Sequence, residues 1–158
     1  MSSSSADQSG FHSRGKSVMA THPGNGQGEA HGALVTCFEA CADCAQACIV
    51  CADACLGEPN VADLVTCIRL NQDCAELCEA TGNILSRQVS LDWEIAGAAL
   101  KACVIACHKC AAESRKHAAH MEHCGECEAA CRACQAACES LMSQAADGFE
   151  GEWDRPSH

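Results

Sequence analysis

Residues 37–55 read CFEACADCAQACIVCADAC, and their six cysteines recur at alternating steps of four and three residues. Steps of three and four place side chains on one face of an α-helix. This is the spacing of the positions that face the axis of a helical bundle, which Leu, Ile or Val usually occupy. The pattern therefore predicts a bundle helix whose buried stripe consists of thiols.

A second stripe of the same kind lies nearer the end of the chain. Residues 123–138 read HCGECEAACRACQAAC, with five cysteines again three and four residues apart, and two segments between the stripes carry three cysteines each. A single free cysteine can serve as a small apolar core residue, but so many would fill a core worse than Leu, Ile or Val. The cysteines are therefore candidate metal ligands as a set: Cys37, Cys41, Cys44, Cys48, Cys51, Cys55, Cys67, Cys74, Cys78, Cys103, Cys107, Cys110, Cys124, Cys127, Cys131, Cys134 and Cys138.

The region that holds the stripes has a helical period throughout and is rich in Ala, Glu, Gln and Leu. Breaks around Gly57–Asn60, around Gly82 and after Ser114 divide it into four helices, with Ser90 marking the start of the third. Short connections between long helices favour an all-α fold, an antiparallel up-down-up-down four-helix bundle with a disordered N-terminal tail. The predicted helices cover residues 33–56, 61–86, 91–116 and 120–145, in a bundle at 33–145 between a disordered tail or leader at 1–32 and a loose C-terminal tail at 146–158.

Composition and charge restrict the compartment and the partners. Cysteine is this frequent mainly in secreted disulfide scaffolds, but seventeen is an odd number and the first thirty residues contain no apolar stretch typical of a signal peptide. We also expect no apolar run long enough to span a membrane. The sequence therefore predicts a cytoplasmic protein with reduced thiols and no membrane partner. A net charge of −11 argues against a nucleic-acid partner.

The spacing of the thiols favours one metal over others. Thiolates are soft ligands that suit Cu(I), Zn(II) and iron–sulfur clusters. Zinc needs closed sets of four ligands, which a continuous ladder does not isolate, and the motifs of ferredoxins, covalent haem and di-iron bundles are absent from the sequence. Cu(I) accepts two or three sulfurs, which same-helix pairs four residues apart can supply: Cys37/Cys41, Cys44/Cys48, Cys51/Cys55, Cys74/Cys78, Cys103/Cys107, Cys127/Cys131 and Cys134/Cys138.

The stripes continue into different residues at the two ends of the predicted bundle. At one end, which we call the mouth end, the register reaches His117 after the third helix and His120 before the fourth, and both are candidate ligands. His108, beside Cys107, is a third candidate, while Met121 and His123 lie close to the same end. The other end, which we call the plugged end, continues into apolar residues: Leu85, Ala96, Leu100 and Leu141. We therefore expect metal to enter at the mouth end.

The two quoted stripes resemble those of the bacterial four-helix-bundle copper storage proteins, and the resemblance covers roughly residues 33–145. It implies a core that binds many Cu(I) ions, mainly through thiolate pairs within one helix, and a homotetramer of bundles. Because no export signal is recognised, the chain resembles the cytosolic branch of that family. One position departs from a full stripe: Asn71 lies where the register predicts a cysteine or an apolar residue.

The sequence thus predicts a protein that stores and buffers many Cu(I) ions for copper supply or detoxification, and that is not an enzyme. Its expected partners are copper ions, further copies of the chain, and a protein that donates or accepts copper. Two alternatives remain at this point, a metallothionein-like zinc buffer and a thiol redox or electron-transfer protein. The latter would need one or two exposed cysteines of low pKa rather than a buried ladder.

Overall fold

A computed structural model describes residues 13–24 and 29–148 of the chain. These residues form five α-helices and one short 3-10 helix, with no β-strand among them. All seventeen cysteines lie on the four long helices, α2 to α5. In chain order the elements are α1 Arg14–Ala20, α2 Glu29–Leu56, the 3-10 helix Val61–Leu64, α3 Val65–Leu85, α4 Trp93–Arg115 and α5 Glu122–Gly148.

The four long helices form the predicted antiparallel bundle. Helix α2 packs against α3 and α5, and α4 packs against the same two, so α2 and α4 occupy opposite corners of a square. Side-chain contacts show that α2 and α5 run in opposite directions, because Cys37 near the start of α2 contacts Cys138 near the end of α5. Cys51 near the end of α2 meets Cys124 near the start of α5. The predicted fold class is confirmed.

The helix ends differ from the prediction by a few residues, for local chemical reasons. Helix α4 begins at Trp93 because Asp92 caps it, accepting hydrogen bonds from the backbone N–H groups of Glu94 at 3.0 Å and Ile95 at 3.1 Å. Ser90, the predicted start, has a φ of 56° and cannot belong to the helix. The predicted second helix begins as the 3-10 turn Val61–Leu64 before it becomes α-helical.

Part of the predicted tail at residues 1–32 is helical, since residues Arg14–Ala20 form α1. Helix α1 is capped by Ser13, whose hydroxyl accepts a hydrogen bond from the Lys16 backbone N–H at 3.2 Å. The Lys16 Nζ lies 3.3 Å from Glu39 Oε2 on α2, and Met19 is buried with 4% exposure. A charge pair and one buried apolar side chain thus attach α1 to the bundle. Residues 29–32 of the predicted N-terminal tail belong to α2 and residues 146–148 of the predicted C-terminal tail belong to α5. Residues 1–12, 25–28 and 149–158 lie outside the described residues.

Two helices are longer and more apolar than the sequence analysis allowed. The helices Ala30–Leu56 and Trp93–Arg115 contain stretches of 18 residues with mean hydropathies of 1.6 and 1.4 and are long enough to cross a membrane, contrary to our expectation that no such run exists. Their hydropathy comes largely from the cysteines and alanines of the buried stripes, because hydropathy scales count both as apolar. The core helices of a soluble protein pass the same test.

Candidate metal centre

The cysteine side chains form the core of the bundle. All seventeen are free thiols, and none is more than 2% exposed. The alternation of three and four residues keeps each stripe on the inward face of its helix, as the sequence predicts. The bundle axis is therefore lined by sulfur over most of its length.

Sulfur atoms of different helices lie in contact with one another. The Sγ atoms of Cys37 and Cys138 are 3.5 Å apart, and those of Cys48 and Cys131 are 3.6 Å apart. Sulfur contacts also join the two helices at opposite corners of the bundle, since the Sγ atom of Cys48 on α2 lies 4.0 Å from that of Cys110 on α4. Three of the predicted same-helix pairs lie within 4.0 Å: Cys44/Cys48, Cys74/Cys78 and Cys103/Cys107. The shortest sulfur distances thus join different helices, which a one-helix analysis of spacing does not reveal.

Four sets of ligand atoms in the interior form a connected network. In each set the four sulfurs lie within 4.8 Å of one another, and each set shares at least one cysteine with another. We call them the interior groups: Cys41/Cys103/Cys134/Cys138, Cys44/Cys78/Cys107/Cys134, Cys44/Cys48/Cys74/Cys131 and Cys48/Cys110/Cys127/Cys131. Because Cys44, Cys48, Cys131 and Cys134 belong to two groups each, a metal in one group has bridging neighbours in the next.

A fifth set, at the mouth end, combines three thiols with an imidazole. We call it the mouth group: Cys51, Cys55, Cys124 and His123. The Nδ1 atom of His123 lies 3.5 Å from the Sγ atoms of both Cys51 and Cys124. Its Nε2 atom lies 3.0 Å from Glu58 Oε1, in the loop after α2. A carboxylate only accepts hydrogen bonds, so Nε2 carries the proton and Nδ1 presents a lone pair to the thiols.

The predicted histidine ligands occupy other positions. His120 is exposed, because α5 begins only at Glu122 and the helical register does not extend back to it. His117 lies beyond the end of α4 at Arg115, is half-buried, and contacts Glu113 with 3.4 Å between Nε2 and Oε1. His108 is exposed on the outer face of α4. Among the described residues, none of these three imidazoles joins a group of four ligand atoms.

His123 is the residue that the sequence analysis placed near the mouth end without assigning it as a ligand. It precedes Cys124 directly and so lies off the regular stripe. In the first turn of α5, its side chain can still turn toward the axis, where the Glu58 carboxylate holds it. Its position next to Cys124 at a helix start was the available signal, but the Glu58 contact spans 65 residues and no periodicity predicts it.

Asn71 is a polar residue inside the sulfur core. It is fully buried, and its Nδ2 donates to the Cys67 carbonyl at 3.0 Å. Its Oδ1 accepts from the thiols of Cys127 at 2.9 Å and Cys110 at 3.4 Å. The amide is thus fully paired, which makes its burial tolerable. It stands between the mouth group and the interior groups in the place of an eighteenth thiol.

Neighbouring thiols at the mouth end differ in acidity. A hydrogen bond from Cys51 lowers the pKa of Cys67 to about 6, and the Ser114 hydroxyl acts in the same direction. Burial raises the pKa of Cys124 to about 12, and repulsion from the thiolate of Cys55 adds to the effect. Neighbouring thiols at this end therefore differ in how readily they lose a proton. Metal binding must release the protons that remain.

The plugged end contains the apolar side chains that the sequence predicts. Leu85, Leu100 and Leu141 are at most 1% exposed, and Ala96 is fully buried. Leu34 at the start of α2 completes the layer with 7% exposure. The end of the core that faces away from His123 is therefore closed by packed hydrocarbon.

The arrangement suits a soft metal ion held in many copies. Buried thiols without an exposed partner are poor redox nucleophiles, which argues against the thiol redox alternative. Interior groups that share sulfurs do not provide the separate tetrahedra of a zinc buffer. Cu(I), which takes few thiolate ligands, fits a continuous sulfur wall best.

Comparisons with known proteins agree with this chemistry. A family model described as copper storage protein matches residues 30–143. A structure of copper loading to a cytosolic copper storage protein from Streptomyces lividans, with five coppers, is 48% identical over 71% of this chain and 93% of that chain, with a TM-score of 0.70. Another, of the Streptomyces lividans copper storage protein Ccsp loaded with 10 copper equivalents, is 42% identical over 82% of this chain and 98% of that chain, with a TM-score of 0.75. None of the curated proteins matches the chain.

Proposed function

We propose that this chain, which belongs to the copper storage protein family, stores and buffers many Cu(I) ions on the thiolates of its core. The observation that carries the proposal is the continuity of the interior groups, which share cysteines along the bundle axis. Thiolates that bridge neighbouring Cu(I) ions raise the number of ions that a fixed set of sulfurs can hold. The similar structures from Streptomyces lividans are described with five coppers and with 10 copper equivalents, in line with such a store.

The proposed compartment is the cytosol, as described for one of those Streptomyces lividans proteins. The cytosol keeps thiols reduced, and a store made of free thiols requires that condition. Storage and release are binding equilibria, so we assign no catalytic residue and propose that the chain is not an enzyme. In this proposal the store either supplies copper to the cell or removes excess copper. Donor proteins deliver the ions to the chain and acceptor proteins take them from it.

The proposed ligands are all seventeen cysteines together with His123. His117 has a secondary role, because its half-buried ring lies at the same end and contacts Glu113. His108 and His120 are exposed and belong to no group of ligands among the described residues, so we leave them out of the proposed site. With these ligands, the proposed site consists of thiolates along the whole core and one imidazole at the mouth end.

Copper is proposed to enter at the mouth end. There the side chains of His123 and Glu58 are 24% and 30% exposed, so an ion can reach a ligand directly from solvent. At the plugged end it would have to pass Leu85, Leu100 and Leu141, which are at most 1% exposed. An imidazole at the surface of a thiolate core can accept Cu(I) and pass it inward.

The proposed assembly is a homotetramer, as the family resemblance implies. Large apolar side chains on three helices support association, since Val50, Val65 and Ile105 are each more than half exposed. Burying such side chains against another copy of the chain would be favourable. Light scattering on the purified protein tests the proposal, with a mass four times that of one chain expected and a monomer mass contradicting it.

X-ray absorption at the copper edge tests the storage proposal. The fully reduced chain loaded with Cu(I) should show two or three sulfur ligands per copper and copper–copper scattering from bridged neighbours. A first shell dominated by nitrogen or oxygen, without neighbouring copper, would contradict storage on the thiol core.

A further inference from the structure

The mouth group differs from the interior groups in being separate. The four interior groups are linked by shared cysteines, whereas Cys51, Cys55, Cys124 and His123 belong to no other group in the part of the chain that the structure describes. A metal ion bound there would use four ligands of its own. Three thiolates and one imidazole are also a common ligand set of tetrahedral zinc sites. The spacing of cysteines within single helices indicates no isolated set of four ligands, whereas the packed bundle brings such a set together at the mouth end.

The distances within the mouth group fit a zinc tetrahedron. With a Zn–S bond of about 2.3 Å and a Zn–N bond of about 2.0 to 2.1 Å, the edges are about 3.8 Å between sulfurs and about 3.5 Å between sulfur and nitrogen. The Sγ atoms of Cys51 and Cys124 are 4.0 Å apart, and each lies 3.5 Å from His123 Nδ1. The Cys55 sulfur lies within 4.8 Å of all three other atoms. Only small side-chain movements are needed to close the tetrahedron.

A carboxylate outside the tetrahedron supports the imidazole. Glu58 Oε1 accepts a hydrogen bond from His123 Nε2 at 3.0 Å. Histidine ligands of metals commonly donate the other ring N–H to a carboxylate, which fixes the tautomer and makes the ligating nitrogen more basic. Here the Glu58 contact leaves Nδ1 free to ligate and turns it toward Cys51 and Cys124.

Charge and solvation favour zinc at the mouth group over the interior. Zn²⁺ with three thiolates and a neutral imidazole has a net charge of −1, whereas four thiolates would give −2. The cysteines of the interior groups are at most 1% exposed, so a doubly negative complex would be far from water there. Burying unpaired charge is costly. At the mouth, His123 is 24% exposed and the complex keeps contact with solvent.

We propose that Cys51, Cys55, Cys124 and His123, with Glu58 as a positioning residue, also bind a single Zn²⁺ ion, which takes the place of Cu(I) at the mouth end and leaves the Cu(I) ligands of the interior groups unoccupied by zinc. Zinc binding at this site does not use the sulfurs of the interior groups. A chain with zinc at the mouth therefore keeps those groups free for Cu(I).

The test is anaerobic titration of the fully reduced chain with Zn²⁺ against a chromophoric chelator, and with Co²⁺ as a spectroscopic probe. One tight equivalent is expected, and Co²⁺ should give the intense visible bands of a tetrahedral site together with thiolate charge transfer. His123→Ala should abolish the tight equivalent, and Glu58→Ala should weaken it about 10- to 100-fold. Matched controls are His120→Ala and Asp53→Ala, which remove an exposed imidazole and an exposed carboxylate at the same end without touching the group.

Several results would overturn the zinc site. These are no tight binding, two or more equal equivalents, or a Co²⁺ spectrum that His123→Ala leaves unchanged in a variant with native helicity. If that variant does not fold, the X-ray absorption of the unmodified zinc-loaded chain decides between three sulfurs with one nitrogen and four sulfurs. Cu(I) capacity measured on the same preparation separates the two proposals, because high copper capacity without zinc binding overturns only the zinc site.

Discussion

At the scale of one residue, Asn71 shows that the cysteine spacing predicts which position is buried but not which side chain occupies it. The spacing of α3 places position 71 on the stripe, and the side chain is buried there among thiols. Its amide accepts hydrogen bonds from Cys110 and Cys127, so the position is a polar interruption of a sulfur wall. Replacing it with cysteine would complete the stripe between the mouth group and the interior groups.

Asn71→Cys should therefore raise the saturating amount of Cu(I) by about one ion per chain, since one more soft ligand joins a shared network. Titration with Cu(I) under a competing chelator measures the change. Asn83→Cys is the matched control, because position 83 on the same helix is exposed. An unchanged or reduced capacity in Asn71→Cys would show that the interruption does not limit occupancy.

The histidines at the mouth end give a second prediction at this scale. His123→Ala should slow Cu(I) uptake from a chelator in stopped-flow measurements, since it removes an imidazole that contacts two thiols of the mouth group. Capacity should change by about one ion at most, because the remaining ligands are thiolates. His120→Ala replaces an exposed imidazole and should load at the unmodified rate. Equal rates in both variants would place the path of copper elsewhere.

At the scale of the helix, the plugged end contributes stability rather than metal binding. Leu100→Ala on α4 should lower the free energy of unfolding of the apo protein by about 2 to 5 kcal/mol, because the side chain is 1% exposed and leaves a cavity. Cu(I) uptake should proceed at the unmodified rate. Ile95→Ala on the same helix is the control, as this side chain is 57% exposed. Urea unfolding measures the free energy of unfolding of both variants. Slower Cu(I) uptake in Leu100→Ala would contradict entry of copper at the mouth end.

The start of α4 provides another prediction. Asp92→Ala should cost about 0.5 to 2 kcal/mol of stability, because the carboxylate accepts two backbone N–H groups that no other residue satisfies in the first turn. Asp73→Ala removes another exposed carboxylate, from the middle of α3, where it caps no helix end, and should not destabilise the protein. Equal losses in the two variants would indicate an effect of net charge instead of the cap.

What the sequence predicts at this scale follows from local periodicity. The stripes of α2 and α5 identify the inward faces because helical spacing is a property of the chain itself. The helix ends are less predictable, since Asp92 rather than Ser90 caps α4 and α5 starts after His120. The groups of four sulfurs and the contact between Glu58 and His123 arise from the packing of different helices. No pattern within one helix contains that information.

At the scale of the whole molecule, the bundle should fold before copper arrives. Protonated thiols pack as small apolar groups, and the plugged end adds a layer of leucines. The reduced apo protein should therefore give a helical far-UV circular dichroism spectrum. Cu(I) should raise its melting temperature by mass action with little new helix. A random-coil spectrum in the reduced apo state would mean that metal builds the fold, as in a zinc finger.

The capacity of the reduced chain for Cu(I) tests the storage account most directly. If each ion took two unshared thiolates, seventeen cysteines would hold about eight ions, whereas bridging thiolates bring the limit toward about one per cysteine. Because the interior groups share cysteines, anaerobic titration against a Cu(I) chelator should saturate above eight ions per chain. Saturation at four ions or fewer would contradict storage on the thiol core.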